Sequence, residues 1–550
     1  MALSRAERYA ARLLRLVSRA LLALLGLVSR ASSLAAAAPS PSPASPAASP
    51  RAWRKAPCVP PPAHELLLLS GVQLARRIRR KEVTCVSVIE TYIGRIKEVN
   101  PLINAVVKDR FEAALQEAHQ VDKLVSEGHD DEESLQEKFP FLGVPVSIKE
   151  AFALHGQPNT SGMVNRRNIL STTDALVVSR LKQAGAIPLG VTNCSELCMW
   201  FESSNRVYGR TNNPYDLRCI VGGSSGGEGS ILAAAGSVIG VGSDIGGSIR
   251  MPAFFNGIFG HKPTTGVVPN DGQFPEAVGI RKTFLGTGPM CRYAEDLEPM
   301  LRVMAGPSIA QLKLDKKVSP ENIKFYFMEH DGGSLFVSPV DKEILQAQRK
   351  VVENLEAKLG VEVQRVAIHK MKYSFQIWST MMSAKSSDGQ KIHNFADLLG
   401  DPGKPVWPSW ELVKWMVGRS PHTLPAVVLA IMEKFMNNSS ESNAKLEGIA
   451  HSLRTELVDL LKDDGVLLYP SHPVIAPRHH VPLGMPFNFA YTAIFNILGL
   501  PVTQCPLGLS KDGLPLGIQV VAGLHNDHLT LAVARHLEKE FGGWVCPGKC

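Results

Sequence analysis

Short apolar runs alternate with amphipathic stretches over most of the chain. In "STTDALVVSRLKQAGAIPLGVTN" the spacing predicts a helix capped near Thr173 or Asp174 and closed by Gly185, followed by a strand from Ile187 to Val191. Further on, "GGEGSILAAAG" predicts a helix of small residues and "SVIGVG" predicts a buried strand. Two such units in succession indicate an α/β fold with polar loops at the ends of its strands.

The C-terminal pattern adds antiparallel strands. The segment "GLPVTQCPLGLSKDGLPLGIQVVAG" contains two apolar runs, and Asp512 and Gly513 between them are typical of a hairpin turn. The closing segment "HNDHLTLAVARHLEKEF" predicts a helix with Asp527 as its N-cap. Since no Pro/Ser-rich break divides the chain after residue 65, we expect one large domain with a mixed, twisted β-sheet between layers of α-helices.

The first 64 residues have a different character. Five arginines between residues 5 and 19 recur every three or four positions, which places them on one face of a helix. The uncharged run "ALLALLGLVS" that follows is much shorter than the roughly 20 residues of a bilayer span. We predict that residues 1–38 form a membrane anchor that lies in the interface or spans once, with residues 39–64 as a Pro/Ser-rich linker. A removable transit peptide and an unfolded tail are the alternatives.

The positive charge of the chain belongs to this N-terminal region. The net charge is +8, and residues 1–55 contain nine basic groups and one acidic group, so the remaining residues are formally neutral. A neutral body argues against nucleic acid as a partner. The nine cysteines form no C-x-x-C pair, and no histidine spacing suggests a metal site. We therefore expect no disulfide framework, no metal and no cofactor.

The candidate chemistry lies in "GGSSGGEGSILAAAGSVIGVGSDIGGSIR", residues 222–250. This stretch lacks the G-x-x-x-x-G-K-[ST] pattern of a phosphate loop, and Ile245 replaces the third glycine of a dinucleotide fingerprint. The segment "GGSSG" matches a G-x-S-x-G nucleophile elbow centred on Ser224. However, only a short strand-like run, "CIV", precedes it, and no downstream histidine stands out. The pattern thus excludes nucleotide binding and disfavours a Ser/His/Asp hydrolase.

Three motifs, in this order, resemble the amidase signature family. They are Lys149 in "GVPVSIKE", the "GGSSGG" loop that contains Ser224, and "DIGGSIR", which contains Ser248. The two serines are separated by 24 positions (248 − 224), as in that family. The resemblance covers the chain from about residue 66 onward. It implies the amidase signature fold and a serine hydrolase with Ser248 as acyl nucleophile, Ser224 as proton relay and Lys149 as base.

The residues around this triad fit that chemistry. Lysine accepts a proton only when neutral, and the apolar run "FLGVPVSIK" favours the neutral form by burial. Ser225 either caps the following helix or orients the relay, whereas Asp244 and Arg250 pin the second loop through their opposite charges. A helix starting at Ser248 would add a favourable dipole. Backbone N–H groups are expected to form an oxyanion hole at Ile245, Gly246, Gly247 and Ser248.

Two further positions narrow the resemblance. Glu150 follows the lysine and Glu228 follows the serine loop, and both resemble the fatty-acid amide hydrolases within the family. This resemblance implies long-chain primary amides such as oleamide and N-acylethanolamines such as anandamide as substrates. It also implies a membrane or lipid surface as partner, at an endomembrane or a lipid droplet. A homo-oligomer stays open.

A tryptophan-rich segment supports a lipid substrate. Trp407, Trp410 and Trp415 precede an apolar run at residues 424–432, and we predict that this segment forms a membrane-dipping rim around an acyl entrance. Buried core helices are the alternative. Three other functions also stay open: an amidase of another small amide, a glutamine amidotransferase subunit that passes ammonia to a partner, and an inactive membrane scaffold.

Overall fold

A computed structural model describes residues 56–384, 393–401, 403–435 and 440–548. The predicted anchor and residues 39–55 of the linker lie outside these residues. Within them, thirteen strands occur: β1 (Val106–Asp109), β2 (Pro145–Lys149), β3 (Ile187–Thr192), β4 (Ser204–Asn205), β5 (Gly209–Arg210), β6 (Ile239–Asp244), β7 (Phe259–Lys262), β8 (Gly286–Cys291), β9 (Lys324–Phe327), β10 (Val363–Arg365), β11 (Gly465–Tyr469), β12 (Val502–Leu509) and β13 (Pro515–Ala522).

The α-helices of the same residues are α1 (Gly71–Arg79), α2 (Cys85–Ile103), α3 (Phe111–Glu127), α4 (Glu132–Lys138), α5 (Leu176–Gln183), α6 (Gly226–Ala233), α7 (Arg250–Phe255), α8 (Leu297–Ala305), α9 (Lys342–Leu359), α10 (Ser374–Met382), α11 (Phe395–Leu399), α12 (Pro408–Met416), α13 (Leu424–Phe435), α14 (Ser440–Leu461), α15 (Ala490–Leu498) and α16 (Asp527–Phe541). No helix among the described residues combines the length and apolar character that crossing a bilayer requires.

Eleven strands form one mixed sheet in the order β1-β3-β2-β6-β8-β7-β12-β13-β11-β9-β10, and β4 pairs with β5. Strands β3, β2 and β6 run parallel to one another, whereas β6, β8, β7, β12 and β13 are joined by antiparallel pairs. In the β2–β6 register, Ile148 lies opposite Val241. The carboxyl ends of β2 and β6 therefore meet at one edge of the sheet, which brings Lys149 close to Ser243.

Helices cover this sheet and bury its apolar side chains. The largest apolar cluster packs α2, α5, α8 and α16 against β2, β3 and β6. A second cluster packs α10, α14 and α15 against β11. These contacts confirm the predicted α/β class with a mixed sheet between helices.

The predicted elements are confirmed, and two predicted caps are wrong. Helices α5, α6 and α16 and strands β3 and β6 occupy the predicted segments, and β12 and β13 pair antiparallel across the predicted hairpin. Ala175, however, is the N-cap of α5, and Asn526 is that of α16. Asp174 instead accepts from Lys182 Nζ at 2.8 Å. Asp527 accepts from Thr264 Oγ1 at 2.6 Å. Both carboxylates thus serve tertiary or charged partners rather than helix ends.

Candidate active site

Lys149 ends strand β2 with a side chain that is fully buried. Its Nζ lies 2.7 Å from Ser224 Oγ and 2.9 Å from Ser243 Oγ. Ser243 belongs to the neighbouring parallel strand β6, so the sheet itself fixes one of the two contacts. A buried amine with two hydroxyl neighbours can accept a proton from one hydroxyl while it donates to the other.

The first serine loop leads into α6, all eight residues of which are buried. Ser225 occupies the N-cap position of α6, but its hydroxyl donates to the Ser243 carbonyl at 3.3 Å, so the first of its two predicted alternatives, a side-chain cap of the helix, is wrong. Ser203 Oγ takes that place by accepting from the Gly226 N–H at 3.1 Å. The Ser225 N–H donates to the Ser248 carbonyl at 3.2 Å. This bond ties the two serine loops together.

The second loop is held by a buried ion pair. Arg250 donates to both carboxylate oxygens of Asp244 at 2.9–3.0 Å, and both side chains are fully buried. The same guanidinium also donates to Asn496 Oδ1, Gln519 Oε1 and the Thr492 carbonyl. Burial opposes the charged carboxylate, yet Arg250 and the hydrogen bonds hold the pKa of Asp244 well below its usual range. Helix α7 begins at Arg250, two residues after Ser248.

The predicted oxyanion hole needs one correction. The Gly247 N–H already donates to Asp244 Oδ1 at 2.7 Å, so its inclusion in the hole is wrong. The φ of Gly247, +116°, is one that residues with a side chain rarely adopt. In addition, a Cβ at this position would collide with Thr492. The other three predicted donors border the cavity that also reaches Ser224: Ile245, Gly246 and Ser248.

Two side chains orient the peptide units of this loop. Trp378 Nε1 donates to the Ile245 carbonyl at 2.9 Å, and Thr492 Oγ1 donates to the Gly246 carbonyl at 2.7 Å. In a planar trans peptide the N–H points opposite to the carbonyl. The Gly246 N–H therefore points away from the Trp378 ring nitrogen. A backbone fixed in this way can present its donors without reorganisation during a reaction.

Two buried carboxyl groups support the strand that carries Lys149. Glu228, on α6, accepts from Ser147 Oγ and Thr192 Oγ1, each at 2.6 Å. Burial raises its pKa to about 7, although both hydroxyls and the charge of Lys149 oppose the rise. These bonds connect the helix behind the serine loop to β2 and β3. Glu228 therefore positions Lys149 relative to Ser224 rather than contacting a reacting atom.

Glu150 holds the chain immediately after Lys149. It accepts from the N–H and hydroxyl of Thr160, each at 2.7 Å, from the Ser161 N–H at 2.7 Å and from Tyr208 OH at 2.9 Å. Burial raises its pKa to about 7, and these donors oppose the rise. Four donors on one carboxyl group fix the turn that follows β2.

The raised pKa of Glu228 predicts a pH-dependent stability. Its folded-state pKa of about 7 exceeds the value of 4.5 in the unfolded chain, so its stabilising contribution is complete below pH 4.5 and is lost as the pH rises through 7. Glu228→Gln removes this titration. The free energy of unfolding of the wild type, minus that of the variant, should fall by about 2 to 3 kcal/mol between pH 4.5 and 8. Urea unfolding in detergent measures this difference, and a difference that does not change with pH would contradict the raised pKa of Glu228.

An apolar cavity of about 210 Å³ reaches Ser224 and Ser248. Its walls are mostly apolar and aromatic, and the polar exceptions include Arg281 and Glu433. Part of the aromatic and long apolar lining comes from α10, α13 and the segment before α15. These side chains include Phe375, Trp378, Met382, Leu429, Met432 and Phe489.

Several residues of this site were not predicted from the sequence. Ser243 directly precedes Asp244, the first residue of the "DIGGSIR" motif, and this position is the one sequence feature that could have marked it as a site residue. Trp378 and Thr492 come from helices more than 100 residues further along the chain, and Cys198 comes from the loop after β3. No local pattern marks these three residues, because only the fold brings them to the serine loops.

Comparison with known proteins gives a family model and several relatives that agree with one another. The Amidase family model matches residues 87–531. Fatty-acid amide hydrolase 2 of Homo sapiens is 65% identical over 489 residues, which cover 89% of this chain and 92% of that protein. Fatty-acid amide hydrolase 2-A of Danio rerio is 61% identical over 491 residues, which cover 89% and 92% of the two chains.

A solved structure described as fatty acid amide hydrolase superposes with a TM-score of 0.69 at 22% identity. The match covers 87% of this chain and 86% of that one. At this identity the likeness concerns the fold, and it agrees with the mixed sheet and flanking helices described above.

Proposed function

The chain belongs to the amidase family, and we propose that it hydrolyses long-chain fatty-acid amides through Ser248, Ser224 and Lys149. Its amide hydrolase class follows from that family and from the 65% identity to a fatty-acid amide hydrolase. The observation that carries the proposal is a single one: the buried Lys149–Ser224 contact opens into an apolar cavity that also reaches Ser248.

Attack begins with proton transfer away from Ser248. Ser224 takes the Ser248 hydroxyl proton as its own proton passes to Lys149 Nζ, 2.7 Å away. Ser248 Oγ then bonds to the amide carbon, and negative charge develops on the carbonyl oxygen. The N–H groups of Ile245, Gly246 and Ser248 stabilise this oxyanion. Ser243 holds Lys149 in place throughout.

Collapse of the tetrahedral intermediate reverses the proton path. Lys149 returns a proton through Ser224 to the leaving nitrogen, the C–N bond breaks, and the acyl group remains on Ser248. A water molecule then gives a proton to the same relay and attacks the acyl ester. The bond between the acyl carbon and Ser248 Oγ breaks, and the relay returns the proton to Ser248. The products are a free fatty acid and ammonia or ethanolamine.

An exposed apolar face on α12 supports a membrane partner. Trp407, Trp410, Met416 and Val417 are each more than half exposed, which is unusual for such large apolar side chains on one short segment. The predicted rim therefore divides in two. Helix α12 turns these side chains outward, whereas Val427 and Ala430 of α13 are buried. We assign α12 as the membrane-contacting part, near the cavity wall formed by Leu429.

The domain division is part of the same proposal. Residues 1–38 anchor the protein to an endomembrane or lipid-droplet surface, and residues 39–64 link the anchor to the hydrolase domain at 65–550. A short anchor and α12 together would hold the cavity entrance at the lipid surface, where a long-chain amide is concentrated.

The decisive experiment compares oleamide with a short-chain aliphatic amide. We expect the detergent-solubilised full chain to prefer oleamide and Ser248→Ala to lose this activity. Equal turnover of both amides would contradict the lipid assignment. Glutaminase activity would instead favour an amidotransferase subunit. Absence of turnover together with absence of fluorophosphonate labelling at Ser248 would favour an inactive scaffold.

Removing the exposed tryptophans should weaken membrane binding. Trp407→Glu/Trp410→Glu replaces two exposed rings with charges, so we expect roughly tenfold weaker partition of the protein lacking residues 1–38 onto neutral liposomes. Val458→Glu is the matched control, because Val458 is 40% exposed on α14. Liposome flotation measures the bound fraction. Equal binding of the two variants would show that α12 does not contact the membrane.

A further inference from the structure

The cavity that reaches Ser224 and Ser248 has a polar side that the mechanism above does not use. Besides the serines near Lys149, its wall contains six charged, amide or hydroxyl residues: Gln273, Glu276, Arg281, Ser379, Ser383 and Glu433. The loop that carries the first three is joined to α10, because Arg281 Nε donates to the Met382 carbonyl at 2.9 Å. Polar groups thus gather on one side of a cavity whose other walls are apolar and aromatic.

Two backbone carbonyls hold Arg281 in this wall. The residue lies in a 3-10 helix, Gly279–Thr283, and its Nη1 donates to the His393 carbonyl at 3.0 Å in addition to the bond with Met382. Within the part of the chain that the structure describes, its other terminal nitrogen, Nη2, has no hydrogen-bond partner and is not sealed off by neighbouring atoms. Arg281 therefore keeps a donor for a group in the cavity.

Glu433 lies near this guanidinium without pairing with it. The Phe395 N–H donates to Glu433 Oε2 at 2.6 Å, and Phe395 is two residues beyond the carbonyl that Arg281 holds. Burial raises the pKa of Glu433, and the Phe395 N–H and the charge of Arg281 oppose that rise. Among the described residues, the two side chains form no ion pair with each other. Since a carboxylate offers about four acceptor sites, Glu433 keeps acceptor capacity for a further group.

Helix α10 relates this charged pair to the nucleophile loop. Trp378 donates to the Ile245 carbonyl at 2.9 Å, and Met382, whose carbonyl binds Arg281, follows four residues later. Four residues are one helical turn, a rise of about 6 Å. A hydroxyl two carbons beyond the nitrogen of a bound amide, with one hydrogen bond added, spans a similar distance from the reacting carbon.

We infer that Arg281 and Glu433 select amides whose nitrogen carries a hydroxyalkyl group, as in the N-acylethanolamines; that the bound molecule is a reacting amide rests on the proposed function. The hydroxyl oxygen accepts from Arg281 Nη2, and its proton is donated to Glu433. A donor and an acceptor of opposite charge suit a neutral hydroxyl. A carboxylate in the same place would be repelled by Glu433, and an ammonium group by Arg281. Neither residue contacts the reacting atoms, so both determine specificity.

Two amides that differ in one group test this inference. N-Oleoylethanolamine and N-propyloleamide have the same length, but a methyl group replaces the hydroxyl in the second. We expect the full chain to favour the ethanolamide in kcat/KM by roughly tenfold or more, because hydrogen bonds to charged groups are among the stronger ones. Arg281→Met should bring this ratio close to one. A wild-type ratio near one, or a ratio that Arg281→Met leaves unchanged, would overturn the inference.

The ratio separates selection from a structural role, since a general distortion of the cavity lowers both rates together. Glu433→Gln keeps an acceptor for the Phe395 N–H but loses the charge, so the ratio should fall in part, and this variant decides if Arg281→Met does not fold. Arg166→Met is the matched control. The Arg166 guanidinium lies 3.5 Å from the Phe274 ring centre, behind the cavity wall, so its loss should keep the wild-type ratio.

Binding to a variant without its nucleophile keeps this inference distinct from the proposed function. If the full chain hydrolyses neither oleamide nor these two amides, the proposed function fails and the binding ratio decides. Each amide then competes with radiolabelled N-oleoylethanolamine for detergent-solubilised Ser248→Ala. Roughly tenfold tighter binding of the ethanolamide, lost in Ser248→Ala/Arg281→Met, would support the selection by Arg281 and Glu433. Equal binding of the two amides would overturn it.

Discussion

Replacing Lys149 with methionine is expected to lower kcat/KM for oleamide by about 10³-fold or more. Methionine fills a similar volume but cannot accept the proton that leaves Ser224. It also removes the 2.7 Å and 2.9 Å contacts to Ser224 and Ser243. Initial rates of detergent-solubilised protein measure the effect, and circular dichroism confirms that the variant is folded.

The chain offers a matched control for this substitution. Lys262 is also buried at the end of a strand, but its Nζ donates to the Pro263 carbonyl at 3.0 Å, away from the cavity wall. Lys262→Met should therefore keep kcat/KM within a fewfold of the wild type. Lys149→Met/Ser224→Ala should be about as slow as either single variant, because the two residues act as one relay. A loss below roughly tenfold for Lys149→Met would reject its role as the base.

The sequence predicted best what depends on short segments of regular pattern. The periodicity of α5 and β3 and the turn residues between β12 and β13 each determined an element locally. The resemblance also placed Lys149 and Ser224 in one site, although 75 positions separate them (224 − 149). The hydrogen bonds of Glu228 to Ser147 and Thr192 account for their proximity, since they hold α6, which follows Ser224, against β2 and β3.

The wrong predictions share a physical cause. Asp174, Ser225 and Asp527 are residue types that favour helix N-caps, yet each side chain binds a partner outside its helix, which for Asp174 is the His155 N–H. The Gly247 N–H likewise serves Asp244 rather than the cavity. Local propensity cannot rank these options, because the competing acceptor or donor is positioned by the tertiary fold.

The second large effect concerns stability. Arg250→Met should lower the free energy of unfolding by about 3 to 5 kcal/mol at pH 7.5, because it leaves the buried Asp244 carboxylate without its counter-charge. The Asp244 pKa would then rise, so the loss should shrink as the pH falls toward 4 and the carboxyl group takes up a proton. Urea unfolding at both pH values measures the change. A loss of unfolding free energy that does not depend on pH would show that Arg250 stabilises the protein through packing rather than through its charge.

Neutralising both partners should recover part of the loss. Asp244→Asn/Arg250→Met contains no buried charge at this pair, so the double-mutant cycle should show a coupling of about 1 to 3 kcal/mol.

Activity measurements distinguish a specific effect on the Ser248 loop from a general loss of stability. Arg292 is fully buried as well, but it donates to Tyr92 OH and the Leu67 carbonyl, away from the serine loops. Arg292→Met should keep the wild-type kcat under conditions in which it is folded, whereas Arg250→Met should lower kcat because the Ser248 loop loses its anchor.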